Sequence, residues 1–146
     1  MSNNIIYEIK DGKGKIKEYN NDNNLEFECE YLNGERNGKG KEYYENGELR
    51  FEGEYLNGER NGNGKVKEYN LDGNLEFEGK YLNGERNGKG KEYNYDGKLE
   101  FEGEYINGKR WNGKGKEYDF FDISTNMILF EGKYLNGKRN GKEYFH

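Results

Sequence analysis

Proline and alanine are both absent from this chain of 146 residues, and the two absences exclude different things. Without proline there is no proline-rich linker, and without alanine, the best helix former, a helical fold is disfavoured. Cysteine and histidine occur once each, as Cys29 and His146, and the only hydroxyls besides tyrosine are Ser2, Ser124 and Thr125. A serine or cysteine triad therefore lacks its parts, no internal disulfide can close, and no histidine and cysteine cluster exists for zinc. No apolar run approaches the roughly 20 residues that span a bilayer, and residues 1–15 lack a secretory core preceded by positive charge, so a soluble, cytoplasmic protein is expected. Charge of one sign is lacking too. The net charge is −5 and each lysine is interleaved with glutamate, whereas nucleic-acid binding needs clustered cations. Apolar residues, glycine included and tyrosine set aside, make up roughly 36 per cent of the chain against about 45–50 per cent in ordinary domains, too few for a thick two-layer core.

What is present is aromatic and periodic. Fourteen tyrosines and eight phenylalanines, which favour strands, supply the burial. Phe-Glu-Gly begins at Phe51, Phe77, Phe101 and Phe130, and Cys29 replaces the glycine after Phe27. These phenylalanines lie 24, 26, 24 and 29 residues apart, and Lys-Glu-Tyr ends at Tyr19, Tyr43, Tyr69, Tyr93, Tyr118 and Tyr144. A period in that range means stacked copies of one supersecondary unit. Disorder would suit the 36 per cent of charged residues, but the regular aromatic alternation argues against it.

Turn signals fold the unit. Asn57-Gly58 and Asp72-Gly73 each sit between alternating runs, which makes every repeat a pair of antiparallel strands. In the preceding repeat, two-residue turns at Asn33-Gly34 and Asn46-Gly47 predict a register. The first pairs Phe27 with Gly40, Cys29 with Gly38, Glu28 with Lys39 and Glu26 with Lys41. The second pairs Gly40 with Gly53, Gly38 with Tyr55, Lys41 with Glu52 and Lys39 with Glu54. Both place Phe, Tyr and Gly on one face and Glu and Lys on the other. Each exposed cross-strand ion pair contributes only about 0.2–1 kcal/mol, so the charges set register more than stability. On the other face the rings are expected to lie across glycines, which have no side chain to obstruct them.

The expected architecture is all-β: one elongated, twisted, single-layer antiparallel sheet of consecutive hairpins forming a single repeat domain over 1–146. Residues 1–24 form an N-terminal cap and half-repeat that covers the first edge. Repeats start near Leu25, Leu49, Leu75, Leu99 and Leu129, with no linker between them. The Leu49 repeat is longer by two residues around Lys65-Val66-Lys67, and an even insertion preserves every later face. The Leu99 repeat gains Trp111, a single residue that must be absorbed as a bulge or by a looser turn if register is to survive, and that marks a local kink. Residues 119–128 form an insertion expected as an extended hairpin over the C-terminal end of the sheet, with a partner-specific contact as the alternative.

Phe51 to Gly64, reading Phe-Glu-Gly-Glu-Tyr-Leu-Asn-Gly-Glu-Arg-Asn-Gly-Asn-Gly, resembles a MORN repeat, built on tyrosine or phenylalanine, x, glycine, x, tryptophan or tyrosine, then paired turn glycines. Phe51, Gly53, Tyr55, Gly58, Gly62 and Gly64 match the marked positions, as do Phe77, Gly79, Tyr81, Gly84, Gly88 and Gly90. Tyrosine in place of tryptophan at Tyr31, Tyr55, Tyr81, Tyr105 and Tyr134 is similar to divergent members of the family. The resemblance covers nearly the whole chain. It implies a twisted single-layer antiparallel sheet with an aromatic groove and a role as a protein-binding scaffold, in some members as a dimer or near membranes; it implies no single activity.

The chemistry on offer is that of binding. Cys29, standing where a repeat glycine belongs, reads as a buried small residue and not as a nucleophile. Glycine pairs such as Gly38 and Gly40 look like a phosphate loop but precede strands, not helices. No cofactor or metal site is expected, and no enzyme activity. The predicted register puts Glu42 opposite Phe51 and Glu68 opposite Phe77, so that carboxylates border a ring-lined groove or extend from strand ends into water. The expected partner surface comprises Phe27, Tyr31, Phe51, Tyr55, Phe77, Tyr81, Phe101, Tyr105, Phe130 and Tyr134 with Glu42 and Glu68. Its expected ligand is a basic amphipathic helix of a protein partner, with self-association through an open terminal strand as a further expectation. The alternatives are a peripheral membrane or phospholipid-binding module, against which the acidic balance argues, and a regulatory fragment of a larger protein.

Overall fold

Alternating residues and Asn-Gly turns produce strands almost throughout the computed structural model, which describes residues 4–119 and 127–144. The strands are β1 (Asn4–Lys10), β2 (Lys13–Tyr19), β3 (Leu25–Leu32), β4 (Glu35–Tyr43), β5 (Leu49–Leu56), β6 (Glu59–Tyr69), β7 (Leu75–Leu82), β8 (Glu85–Tyr93), β9 (Leu99–Ile106), β10 (Lys109–Tyr118), β11 (Ile128–Leu135) and β12 (Lys138–Glu143). All twelve form one antiparallel sheet in sequence order, and the described residues contain no helix. The single-layer hairpin array read from the sequence is the architecture. Residues 120–126, most of the insertion expected to form an extended hairpin, lie outside the described residues.

Two kinds of turn alternate along the chain. Each odd strand joins the next even strand through Asn-Gly, or Asp11-Gly12 in the first hairpin, with both residues at positive φ, as at Asn57 (52°) and Gly58 (83°). That is a type I′ turn, whose twist suits a tight hairpin. The return turns differ from the two-residue turns expected at Asn46-Gly47 and Asp72-Gly73. Gly73 N–H donates to the Asn70 carbonyl at 3.0 Å and Asn70 N–H to the Asn74 carbonyl at 2.9 Å, a type I turn ending in a left-handed glycine. Asn70 Oδ1 accepts the N–H groups of Asp72 and Asn74, and Asn20 and Asn94 act likewise. The longer loop is offset by an irregularity between Glu42 and Tyr43, so the register expected of the second turn is observed: Gly40 faces Gly53, Gly38 faces Tyr55, Lys41 faces Glu52 and Lys39 faces Glu54.

The register expected of the first turn is corrected. Phe27 faces Glu42 instead of Gly40, Cys29 faces Gly40 instead of Gly38, and Lys41 faces Glu28, so Glu28 does not face Lys39 nor Glu26 Lys41. The reason is a bulge in which residues 37–39 stand opposite Glu30, turned by Gly38 at φ 106°. Because the shift is two residues, each side chain keeps its face.

Other irregularities follow the same logic. β6 is 11 residues long against 9 for β4, and Asn63 pairs with Lys80 while Val66 pairs with Gly79, so the two extra residues leave the ladder as a bulge and Glu68 still meets Phe77. Trp111 is the bulged residue between Arg110 and Asn112, so the single-residue insertion is absorbed as a bulge and not by a looser turn. β12, which lacks the second Gly-Lys, pairs with β11 without a bulge.

The core lies on one face. Phe51, Phe77, Phe101 and Phe130 have 0% exposure, and Phe27, Cys29, Tyr55, Tyr81, Tyr105 and Tyr134 are buried beside Ile16 and Val66. Each tyrosine from Tyr55 onward wedges edge-on between the phenylalanine of its own repeat and that of the repeat before; Tyr81, for example, lies 6.1 Å from Phe77 and 5.6 Å from Phe51. Such pairs contribute about 0.5–1.5 kcal/mol each beyond area burial. Glycine leaves the space they need. A Cβ on Gly40 would lie 2.7 Å from the Tyr55 ring, and one on Gly53 would lie 2.9 Å from Val66 Cγ2. Gly40→Val and Gly53→Val are therefore expected to destabilise the fold by about 1–3 kcal/mol through overpacking. Urea unfolding checks this, with Gly84→Ala, at an open turn position, as a control for backbone strain alone.

Candidate functional site

The two faces of the sheet are chemically distinct. On the aromatic face, the type I′ turn sets an arginine opposite each tyrosine of β3, β5, β7, β9 and β11: Arg36 with Tyr31, Arg60 with Tyr55, Arg86 with Tyr81, Arg110 with Tyr105 and Arg139 with Tyr134. Each guanidinium lies over the phenylalanine of its own repeat, at 3.8 Å from the Phe27 centroid for Arg36, 4.1 Å from Phe51 for Arg60 and 4.2 Å from Phe77 for Arg86. Cation–π attraction is strongest where water is excluded in this way.

The same arginines reach the glutamate of the preceding Lys-Glu-Tyr. Glu42 accepts a fork from Arg60, 2.7 Å from Nε and 2.8 Å from Nη2, and a hydrogen bond from the Tyr55 hydroxyl. Glu68 accepts from Tyr81 and Arg86, Glu92 from Tyr105 and Arg110, and Glu117 from Tyr134 and Arg110. Arginine also bridges forward, from Arg60 to Glu68, Arg86 to Glu92, Arg110 to Glu117 and Arg139 to Glu143. An unbroken alternation of carboxylate and guanidinium thus runs from Glu42 to Glu143.

Electrostatics follow from this packing. Burial alone would raise the Glu42 and Glu92 carboxyls, but hydrogen bonds from Arg60 and Arg110, joined by the tyrosines, outweigh it and hold both below the ordinary 4.5. Burial, then the charge and hydrogen bond of Glu68, push the Tyr81 hydroxyl up to about 12. Burial also raises the Cys29 thiol to about 11, which leaves it protonated at neutral pH.

Of the sequence-predicted partner residues, nine of the ten rings are buried and Tyr31 is partly buried against Tyr7 at 5.8 Å. Glu42 and Glu68 face Phe51 and Phe77 as expected, but neither extends into water: each is held by tyrosine and arginine. The space expected to be a ring-lined groove is filled by guanidinium groups. The arginines were missed in the sequence, although Glu-Arg-Asn-Gly recurs and the Asn33-Gly34 turn by itself places Arg36 opposite Tyr31.

The open ground is the other face. One shallow concavity of about 600 Å³ has Gly40 and Gly53 backbone in its floor and Lys15, Lys17, Glu28, Glu30, Lys39, Lys41, Glu52 and Glu54 as its walls. A second, of about 730 Å³, repeats this arrangement around Gly79, Gly90, Gly103 and Gly113. Their charges alternate strand by strand, with long ion pairs such as Lys41 to Glu52 at 3.9 Å and Lys91 to Glu102 at 3.4 Å. Along the rim formed by the type I′ turns stand Leu32, Leu56, Leu82, Ile106 and Leu135, one per repeat; the last four are exposed by 41–51%. Across the turn from them are exposed Glu35, Glu59 and Glu85, then Lys109 and Lys138. Such a surface can bind, but it holds no acid, base or nucleophile set apart from its neighbours.

Two tests separate ladder from surface charge. Glu68→Gln leaves Arg60 and Arg86 facing an uncharged amide and is expected to cost about 1–3 kcal/mol, whereas Glu78→Gln on the exposed face should stay within about 0.5 kcal/mol. For pH the sign is set by the depressed carboxyls. Glu42 and Glu92 stabilise the fold above the unfolded value of 4.5 and lose that contribution as pH falls through their lower folded values. Glu76 and Glu100, raised by burial, act in the opposite sense. Urea midpoints should fall on acidification below about pH 4.5, and less steeply in Glu42→Gln and Glu92→Gln.

No curated protein matches the chain. The MORN repeat family matches residues 28–48, 51–67, 77–98, 101–119 and 130–142, more than half of the sequence. MORN repeats are a non-enzymatic repeat family generally associated with binding proteins or membrane phospholipids. With its hairpins, glycines and ring positions repeated five times in one sheet, the chain belongs to the MORN repeat family.

Proposed function

We propose that this chain is a non-catalytic, cytoplasmic scaffold that holds a protein partner along its lysine and glutamate face. The observation that carries the reading is the contrast between the faces: the rings are sealed under arginine, while the opposite face keeps two concavities and, along the rim, one exposed aliphatic side chain in each of the last four repeats. The partner best suited to that surface is an amphipathic helix laid across the strands. Two strands advance about 9.6 Å and seven helical residues about 10.5 Å, so an apolar residue once per heptad keeps pace with Leu56, Leu82 and Ile106. Charge at the rim supports a direction as well. Glu35, Glu59 and Glu85 favour a basic stretch over β3 to β8, and Lys109 and Lys138 an acidic one beyond it.

The twelve residues that the sequence suggests for this role, ten rings from Phe27 to Tyr134 with Glu42 and Glu68, then act through the shape of the sheet and not by touching the partner. Peripheral lipid binding is the second reading in this family, and the alternating charges disfavour it because anionic headgroups recruit clustered cations. Leu56→Ser/Leu82→Ser alters exposed positions and is expected to change stability by less than about 1 kcal/mol while weakening capture of a helical partner at least tenfold. Affinity measurements against partners recovered with the unaltered chain check this, and equal affinity would remove the rim from the interface. Flotation with vesicles rich in phosphatidylserine is expected to leave the protein in the soluble fraction.

A further inference from the structure

Among the described residues, four exposed apolar side chains sit on one edge strand. In β1, Ile5, Ile6, Tyr7 and Ile9 are exposed by 42, 50, 54 and 38%, and among the described residues no strand pairs with the outer side of β1. Natural edge strands are usually protected by charge, and β12, at the other end, carries Lys138, Arg139, Lys142 and Glu143. We infer that β1 is a self-association surface, on which β1 of a second copy adds antiparallel about a two-fold axis through Tyr7.

The register selects this occupant over the alternative of β12 from another copy. In the first hairpin Ile5 faces Glu18 and Ile9 faces Gly14, where in the last Phe130 faces Glu143 and Tyr134 faces Arg139. Isoleucine and glycine thus stand where the array elsewhere has the tyrosine and arginine that receive the glutamate of a preceding repeat. Head-to-tail stacking would set Glu143 against Ile5 without either donor and would bring Lys138 to Lys10. Two-fold pairing sets Ile5 against Ile9 of the second copy, Tyr7 against Tyr7 and Glu8 against Ile6, with no like charges opposed. It also closes, whereas head-to-tail contact would propagate. The surface is a single strand, so the dimer belongs with interfaces below about 1,200 Å² and forms weakly.

Sedimentation of the full chain over about 10–500 μM is expected to show mass rising from 17.2 kDa toward twice that value and no further. Ile5→Lys/Ile6→Lys, checked for an unchanged unfolding midpoint, should weaken association at least tenfold. Leu56→Ser/Leu82→Ser should leave it unchanged, so the rim and the edge are tested apart. Because paired residues on neighbouring strands lie about 4.5–5.5 Å apart, Tyr7→Cys should cross-link to itself on mild oxidation while buried Cys29 does not react. A monomer throughout, growth beyond two copies, full association by the lysine variant, or no cross-link would each overturn the inference.

Discussion

A sheet of one layer has a face to bury and nothing to bury it against, and the stacking of arginine on phenylalanine resolves that constraint here. Rings from successive hairpins wedge edge-on over glycines, and the guanidinium groups roof them. Glutamate and tyrosine hydroxyl then hold each guanidinium in place. The result is a core built from neighbours along the chain, in which every repeat contacts only the adjoining ones, as repeat architectures require. This explains why phenylalanine reaches complete burial in a chain so poor in aliphatic residues.

The ladder, not the residue count, is what the repeats share. The arginine and the following glutamate of one strand are bridged whether they are four, six, seven or eight residues apart. The slack leaves the sheet as a bulge beside Gly38, Gly62 or Trp111, where positive φ or an extra residue bends the strand without moving either end. Insertions are therefore tolerated where they fall between two anchored side chains. The turns reinforce this, since the glycine N–H at Gly58, Gly84 and Gly108 donates to the carbonyl of Arg36, Arg60 and Arg86 in the hairpin before.

Functionally, the consequence is a division of labour between faces. Side chains that look like binding residues by type, ten aromatics and two carboxylates, are consumed in holding the sheet. Those that look like solvated surface stay accessible: lysines and glutamates line the concavities, and the rim leucines stand exposed beside the type I′ turns. Aromatic content alone is thus a poor guide to which side chains a single-layer repeat leaves accessible once its core has been filled.

Much was legible beforehand. Strand identity, antiparallel order, the two faces, the Glu42–Phe51 and Glu68–Phe77 pairings and the need to absorb Trp111 follow from the spacing of turns and a side-chain period of two, which are local properties of the chain. The arginine positions were equally local, since Asn33-Gly34 alone sets Arg36 opposite Tyr31. The bulge opposite Glu30, the three-residue return turns and the closing of the aromatic face were not, because each depends on how neighbouring hairpins stack. Sequence determined which side chains share a face. Only tertiary packing decided which face is covered, since that turns on guanidinium groups reaching across strands to rings and carboxylates as many as 24 residues away, as in Arg110 and Tyr134.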